Sequence, residues 1–258
     1  MKRLLWALAC VFSTVTFANA ADDGAAKILE CMRANIPSVL RVQEFELNAV
    51  DRTGGSRMLR GRLYAVRDNG LMRAMLKIKS PPDLNNAAYL VREGKDHDDM
   101  FIFLPALNRV RRIIGGSGDS PLFGTDLSYN DVKQVQNSFS GGVVKLEKTD
   151  TVEGHAVQVL ALTPHASTDT VYTLIRGWID QKTCVPLKIE FYEGNNLRKR
   201  LSASAAAIKQ YKDNWYVSEA RMDDLQAKTY TTLKITGFTK PDKLSDRYFN
   251  TTTFYNAE

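Results

Sequence analysis

The sequence predicts a mainly β protein: one long antiparallel sheet of about eleven strands, with two or three short helices covering one face. Three observations carry this expectation. Apolar and polar residues alternate with a period of two from Val42 to Phe238, and turn residues such as Asp68-Asn69-Gly70 punctuate the alternation. Successive strand candidates also follow one another without the long helical stretches that parallel βαβ units need. A sheet that long curls or closes rather than staying flat, so it encloses a space whose lining decides function.

The first residues read as an export signal. Lys2 and Arg3 precede the mostly apolar Leu4–Phe17, and Ala18-Asn19-Ala20 is a small-x-small cleavage site. A signal peptide over 1–20 and a single domain over 21–258 are expected. The apolar core is short for a membrane span, and no later run of about 18 apolar residues follows. Cys10 follows Ala7-Leu8-Ala9, a poor match to a lipid-attachment pattern, and is read as discarded with the signal.

Ala25–Asn35 carries Ile28, Leu29 and Met32 at helical spacing and stops before Pro37. Val42–Asp51 then sets Phe45, Leu47 and Ala49 against Glu44, Glu46 and Asn48, the pattern of a half-buried strand. Arg57–Arg67 and Leu71–Lys79 flank Asn69-Gly70, a dipeptide that tolerates the positive φ of a tight hairpin. Further strands are expected at Ala87–Glu93, Met100–Leu104, Val110–Ile114, Val143–Thr149, Val157–Thr163 and Val171–Asp180. Pro186–Tyr192, Leu197–Ser204, Trp215–Met222 and Thr229–Phe238 complete the series. Two stretches depart from it. "GGSGDSP" over 115–121 is a flexible loop, and Ser128 with Asp131 forms a capping box opening a helix to about Asn137. A last short helix is expected near Ser245.

Charge and reactive side chains exclude several functions. Net charge falls from +6 to +4 once Lys2 and Arg3 leave, too mild for a nucleic-acid footprint but suited to an anionic membrane surface or headgroup. His97, in "KDHDDM" beside Asp96, Asp98 and Asp99, fits neither calcium-loop nor zinc spacing and reads as a charged turn. The glycine loop lacks the Gly-Lys-Ser/Thr ending of a phosphate cradle and reads as a hinge. With no nucleophile elbow, zincin motif or catalytic-cysteine signature, the chain is expected to be no enzyme and to need no cofactor or metal. Cys31 and Cys184 remain as an even pair: one disulfide in an oxidising compartment, or two unpaired, partly buried thiols.

Apolar bulk is what stands out. Leu63, Met72, Leu76 and Ile78 sit on early strands, Phe101, Phe103 and Leu104 on a middle one, and Trp178 and Phe191 on late ones. Such residues either pack the core or line a hollow that short helices fill and a hydrocarbon chain displaces. Each buried methylene contributes about 0.8 kcal/mol, so one long chain supplies on the order of 10 kcal/mol before ordering costs.

Four stretches together resemble a known family: "KIKSPPDLNNAAYL" at 77–90, "FIFLPALNRVRRI" at 101–113, "PLFGTDLSYNDV" at 121–132 and "WIDQKTCVPLKIEFYEGNNLRK" at 178–199. They resemble the LolA-like outer-membrane lipoprotein-sorting proteins over roughly residues 40–240. The resemblance implies an incomplete, half-open antiparallel β-barrel with helices over its concave face. It also implies a periplasmic carrier that takes lipoprotein acyl chains from an inner-membrane donor complex to an outer-membrane acceptor, and the chain is expected to be a monomer. A carrier of free lipid or glycolipid beside an inner-membrane exporter is the alternative, and an envelope-lipid hydrolase a third reading.

On that reading Phe101, Phe103 and Leu104 are expected to line the hollow, with Leu63, Met72, Leu76, Ile78, Trp178 and Phe191. Alternation puts Arg109 and Arg111 on one face near the rim and Arg112 on the other. The two rim arginines either hold a headgroup phosphate, pair with an acidic partner, or only keep the edge soluble. Gly115, Gly116, Phe123 and Tyr129 are expected in a moving lid.

Overall fold

The computed structural model describes residues 20–95, 97–136, 139–168, 170–239 and 246–256. The signal-peptide expectation, with Cys10, lies outside the described residues up to position 19. Among the described residues no helix is long and apolar enough to cross a membrane.

Helix α1 (Ala20–Ala34) comes first, and its apolar side carries Ala25, Ile28 and Met32. Six antiparallel strands follow: β1 (Arg41–Val50), β2 (Ser56–Asp68), β3 (Leu71–Ser80), β4 (Ala88–Arg92), β5 (Asp99–Leu104) and β6 (Arg109–Ile113). The β2–β3 hairpin turns at Asn69 (φ 51°) and Gly70 (φ 81°), the conformation expected of Asn-Gly. The chain then runs through short 3-10 turns and the five-residue helix α2 (Asp131–Val135) before returning to strand.

The second half comprises β7 (Gly142–Val152), β8 (His155–Pro164), β9 (Leu174–Asp180), β10 (Pro186–Glu193) and β11 (Asn196–Ser202). After these come β12 (Ile208–Tyr211), β13 (Asn214–Val217), β14 (Glu219–Asp224) and β15 (Thr229–Thr239). Thirteen strands form one sheet in the order β6-β5-β4-β3-β2-β1-β15-β14-β11-β10-β9-β8-β7, and every pairing is antiparallel. The two halves join where β1 pairs with β15. The edges are β6 and β7, so the sheet does not close into a barrel.

Several expectations need correction. The main sheet holds thirteen strands rather than about eleven, and Trp215–Met222 is not one strand. It breaks at Ser218, whose N–H and hydroxyl both bond to the Ala207 carbonyl. The first part, β13, pairs instead with β12, a strand beyond those expected from the sequence. Helix α2 also ends earlier than expected, at Val135. Near Ser245 the described residues form a 3-10 turn, Asp246–Phe249, while Ser245 itself lies outside them.

Alternation along each strand separates two apolar layers. The inner layer holds Phe45, Leu47, Leu63, Met72, Ile78, Ile189 and Phe191, and α1 and α2 cover it. The outer face is sealed piecemeal. Tyr248 stacks on Tyr64 at 4.8 Å and Tyr255 on Phe103 at 3.8 Å, so the C-terminal turns close the first half. Ala205 and Ile208 pack on Trp178, Val157 and Leu187 over the second half.

Candidate functional site

The candidate site is the hollow on the inner face. Leu63, Met72, Leu76, Ile78 and Phe191 all belong to its wall, and Leu104 packs against it partly exposed. Phe101 and Phe103 do not belong to it. Ile102 faces inward between them, so the pleat turns both rings outward, where Phe103 meets Tyr255. Trp178 is displaced for the same reason, standing between inward-facing Gly177 and Ile179. Its ring faces outward, Nε1 donates to Asp150 at 3.1 Å, and Lys188 Nζ lies 3.5 Å above it. A strand cannot give consecutive side chains to one hollow.

The wall is filled by the protein's own covering segments. Ala25, Ile28 and Met32 descend from α1; Leu122, Phe123, Leu127, Val132 and Phe139 descend from the chain between β6 and β7. That connection leads from one edge of the sheet to the other and forms a lid over the concave face. A gap beneath it, bounded by Tyr172, Ile175, Leu162 and Phe191, leaves only about 20 Å³, room for about one water. At the edge of the same face a wider cleft of about 630 Å³ opens between Leu29, Met100, Ile113, Phe139 and Val144.

The lid is strained and pinned. Phe123 (φ 52°) and Phe139 (φ 42°) both adopt the left-handed conformation, uncommon for a bulky side chain, while their rings are buried. Gly115 also has positive φ (65°), a conformation glycine adopts without strain, and it opens the 3-10 turn Gly115–Asp119. The capping box forms: Asp131 N–H donates to Ser128 Oγ at 3.2 Å and Ser128 N–H to Asp131 Oδ2 at 2.8 Å.

Polar contacts hold the lid to both halves of the sheet. On one side Tyr89 donates its hydroxyl to the Tyr129 carbonyl at 3.0 Å, and Lys133 pairs with Asp98. On the other, Lys199 Nζ of β11 lies 2.9 Å from Asp131 Oδ2 with both side chains buried, and Thr231 donates to Asp126 at 2.6 Å. Burial, with Asp98, Tyr129 and Asp131 nearby, holds the Tyr89 hydroxyl well above its ordinary pKa. Burial followed by Asp131 and Asp119 does the same for Tyr172, so both remain neutral donors.

Arg109 and Arg111 pair across to Leu104 and Ile102, which puts them on the inner side of the edge strand, both exposed. Arg112 faces the other way and pairs with Asp99 at 2.6 Å. Cys31 and Cys184 form a disulfide with Cα atoms 5.7 Å apart, tying α1 to the turn after β9. That turn is organised by Asp180, which accepts from Thr183 N–H and Oγ1 at 2.7 Å each and lies 2.8 Å from His155 Nδ1. Burial raises the Asp180 pKa, but the bonds from Thr183 and His155 outweigh it and hold the carboxyl below its ordinary value. His97 is exposed, and among the described residues no three His, Cys, Asp or Glu side chains gather as a metal site.

Sequence reasoning missed Arg41, Gln43 and Lys199, which all face the hollow. The signal was present: each sits in phase with apolar inward residues, Arg41 and Gln43 with Phe45, and Lys199 with Leu201. A polar residue at an inward position of an alternating strand is the mark that distinguishes them.

Comparison with known proteins agrees with this architecture. A family model for DUF1329-like proteins, described as "uncharacterized protein", matches residues 70–255. No curated protein matches the sequence. A solved domain from Vibrio parahaemolyticus, assigned as an outer membrane lipoprotein-sorting protein, is 24% identical with a TM-score of 0.78, over 88% of this chain and 97% of that one. A DUF1329 family protein from Desulfovibrio piger is 22% identical with a TM-score of 0.79, over 90% and 98%. A LolA superfamily protein from Nitrosomonas europaea is 17% identical with a TM-score of 0.68, over 88% and 97%. At these identities the likeness is one of fold, an open LolA-like barrel.

Proposed function

We propose, from the premise that this chain belongs to the DUF1329-like family and has a LolA-like fold, that it is a carrier of acyl chains within the cell envelope. The chains, of a lipoprotein or another lipid, replace the lid side chains in the hollow. No chemistry on the client is required. One observation carries the reading: the filling of the concave face comes largely from α1 and the lid rather than from a second sheet. Such filling is removable, because lifting the lid withdraws Leu122, Phe123, Val132 and Phe139 together.

The energetics favour exchange. Rings and aliphatic side chains leaving the hollow lose apolar contact, and an entering chain restores it at about 0.8 kcal/mol per methylene. Left-handed Phe123 and Phe139 relax when released, which lowers the cost of opening by roughly 1–3 kcal/mol each. A disulfide between α1 and the sheet suits an oxidising compartment, which supports work in the periplasm after export. There the carrier, as a monomer, receives its client from an inner-membrane donor and delivers it to an outer-membrane acceptor.

Native mass spectrometry of protein purified from the envelope tests this directly. A bound acyl-bearing molecule at one per chain is expected, and organic extraction identifies it. Protein that emerges empty, and takes up no fluorescent acyl probe when lipid is added, ends the carrier reading.

A further inference from the structure

We propose that Arg41 and Gln43 form the polar end of the ligand site and recognise the anionic headgroup of an amphiphile, a carboxylate or a phosphate, whose chain lies in the hollow. The inference deepens the carrier reading and rests on it.

Both residues stand on β1 in phase with Phe45, so both face inward. They line a pocket with about 50 Å³ of free space at one end of the concave face. Its other walls include Leu201, Ala220, Leu233 and Ile235 from the sheet and Val135–Gln136 at the end of α2. Arg41 is half-buried, and among the described residues its buried Nε and Nη1 find no hydrogen-bond partner, nor does Oε1 of Gln43, a residue only 3% exposed. The adjacent carboxylate does not serve Arg41, because Glu44 pairs with Arg62 at 3.4 Å. Aromatic rings stand beside it: the Arg41 guanidinium sits 5.9 Å from the centre of the Phe238 ring, which Tyr211 and Tyr216 flank.

A half-buried cation with two buried N–H groups and no counter-charge among the described residues is costly to fold. Burial pushes the Arg41 guanidinium down to about 10, which still leaves it charged at neutral pH. A ligand anion supplies the missing charge, and the fork of guanidinium donors fits two oxygens of a carboxylate or phosphate. Gln43 Oε1 would accept from a hydroxyl or N–H on the same headgroup. The walls beyond are aliphatic and continuous with the hollow, which suits an acyl chain attached to that headgroup. Since Val135 and Gln136 close the pocket, the headgroup enters and leaves with the lid. The rim residues Arg109 and Arg111, being exposed, have no comparable need of a counter-charge.

The test is equilibrium binding of hexadecanoate, hexadecyl phosphate and hexadecanol to the full mature chain, its Arg41→Met and Arg41→Lys variants, and Gln43→Leu. The native protein should bind at least one anion ~10-fold or more tighter than the alcohol, the scale of one charge-assisted hydrogen bond. Arg41→Met should lose that preference while keeping its affinity for hexadecanol, and Arg41→Lys should recover part of it. Gln43→Leu should weaken binding of the preferred anion. The tighter of the two anions names the headgroup. Arg41→Met should also melt no lower than the native chain; a clear fall would mark Arg41 as structural and overturn the proposal. Equal affinity for all three compounds, or a preference surviving in Arg41→Met, also overturns it and leaves the carrier reading intact. Binding of none of the three sinks both.

Discussion

Phe139 of the lid rests on Gly177 of β9, its Cε2 atom 3.0 Å from where a Cβ at position 177 would stand. The absent side chain makes room for the ring, and Ile179 lies 3.2 Å from the same point. Gly177→Ala should therefore lift the lid rather than break the sheet, because Phe139 is the more movable neighbour. Overpacking of this kind costs about 1–3 kcal/mol. The expected results are faster uptake of a fluorescent acyl probe in stopped flow and a melting temperature several degrees lower. Uptake at the native rate would show that Phe139 does not gate the hollow.

The Lys199–Asp131 pair should behave as a latch. Lys199→Met leaves the Asp131 carboxylate buried without its cation, a loss of roughly 3–5 kcal/mol that falls on α2 before the rest of the sheet. Limited proteolysis should then cut within 114–141 well before the native lid is cut. Adding Asp131→Asn, which keeps a capping acceptor but removes the charge, should restore most of the protection.

The disulfide links residues 153 apart in sequence, so its loss should act mainly through the unfolded chain. Replacing Cys31 and Cys184 by Ser is expected to lower stability by about 2–5 kcal/mol in urea titration. Reduced native protein should match the double variant. If both keep the oxidised midpoint, α1 is held by packing alone.

Acid sensitivity should trace in part to Asp180. Its folded-state pKa lies below the ordinary value, so the stability it contributes is present above the unfolded pKa and is lost as pH falls through the folded one. Asp180→Asn should thus be less stable at neutral pH and show a shallower decline in denaturation midpoint as pH falls through and below the ordinary carboxylate range. An acid decline as steep as the native protein's would place the sensitivity elsewhere.

Strand positions were legible because period-two alternation is a local property, and the Asn69-Gly70 hairpin and Ser128–Asp131 capping box were legible for the same reason. The faces were harder. Phe101, Phe103 and Trp178 all look like cavity lining by composition, yet the pleat turns them outward beneath Tyr255 and the Ala205–Ile208 segment. An apolar residue on either face of a sheet covered on both sides reads the same. The break at Ser218 was hidden too, since it depends on the Ala207 carbonyl reaching across from an earlier segment.

By itself the sequence determined a long antiparallel sheet, an even cysteine pair and a glycine-rich stretch before a short helix, because each follows from neighbouring residues. Only the tertiary structure decided that β1 meets β15, that β6 and β7 remain edges, and that α1 and the lid fill the hollow between them. It alone brought Lys199 to Asp131 and left Arg41 half-buried with no acid paired to it among the described residues. Those outcomes depend on which distant segments pack together, and burial converts a surface charge into a latch or a binding group.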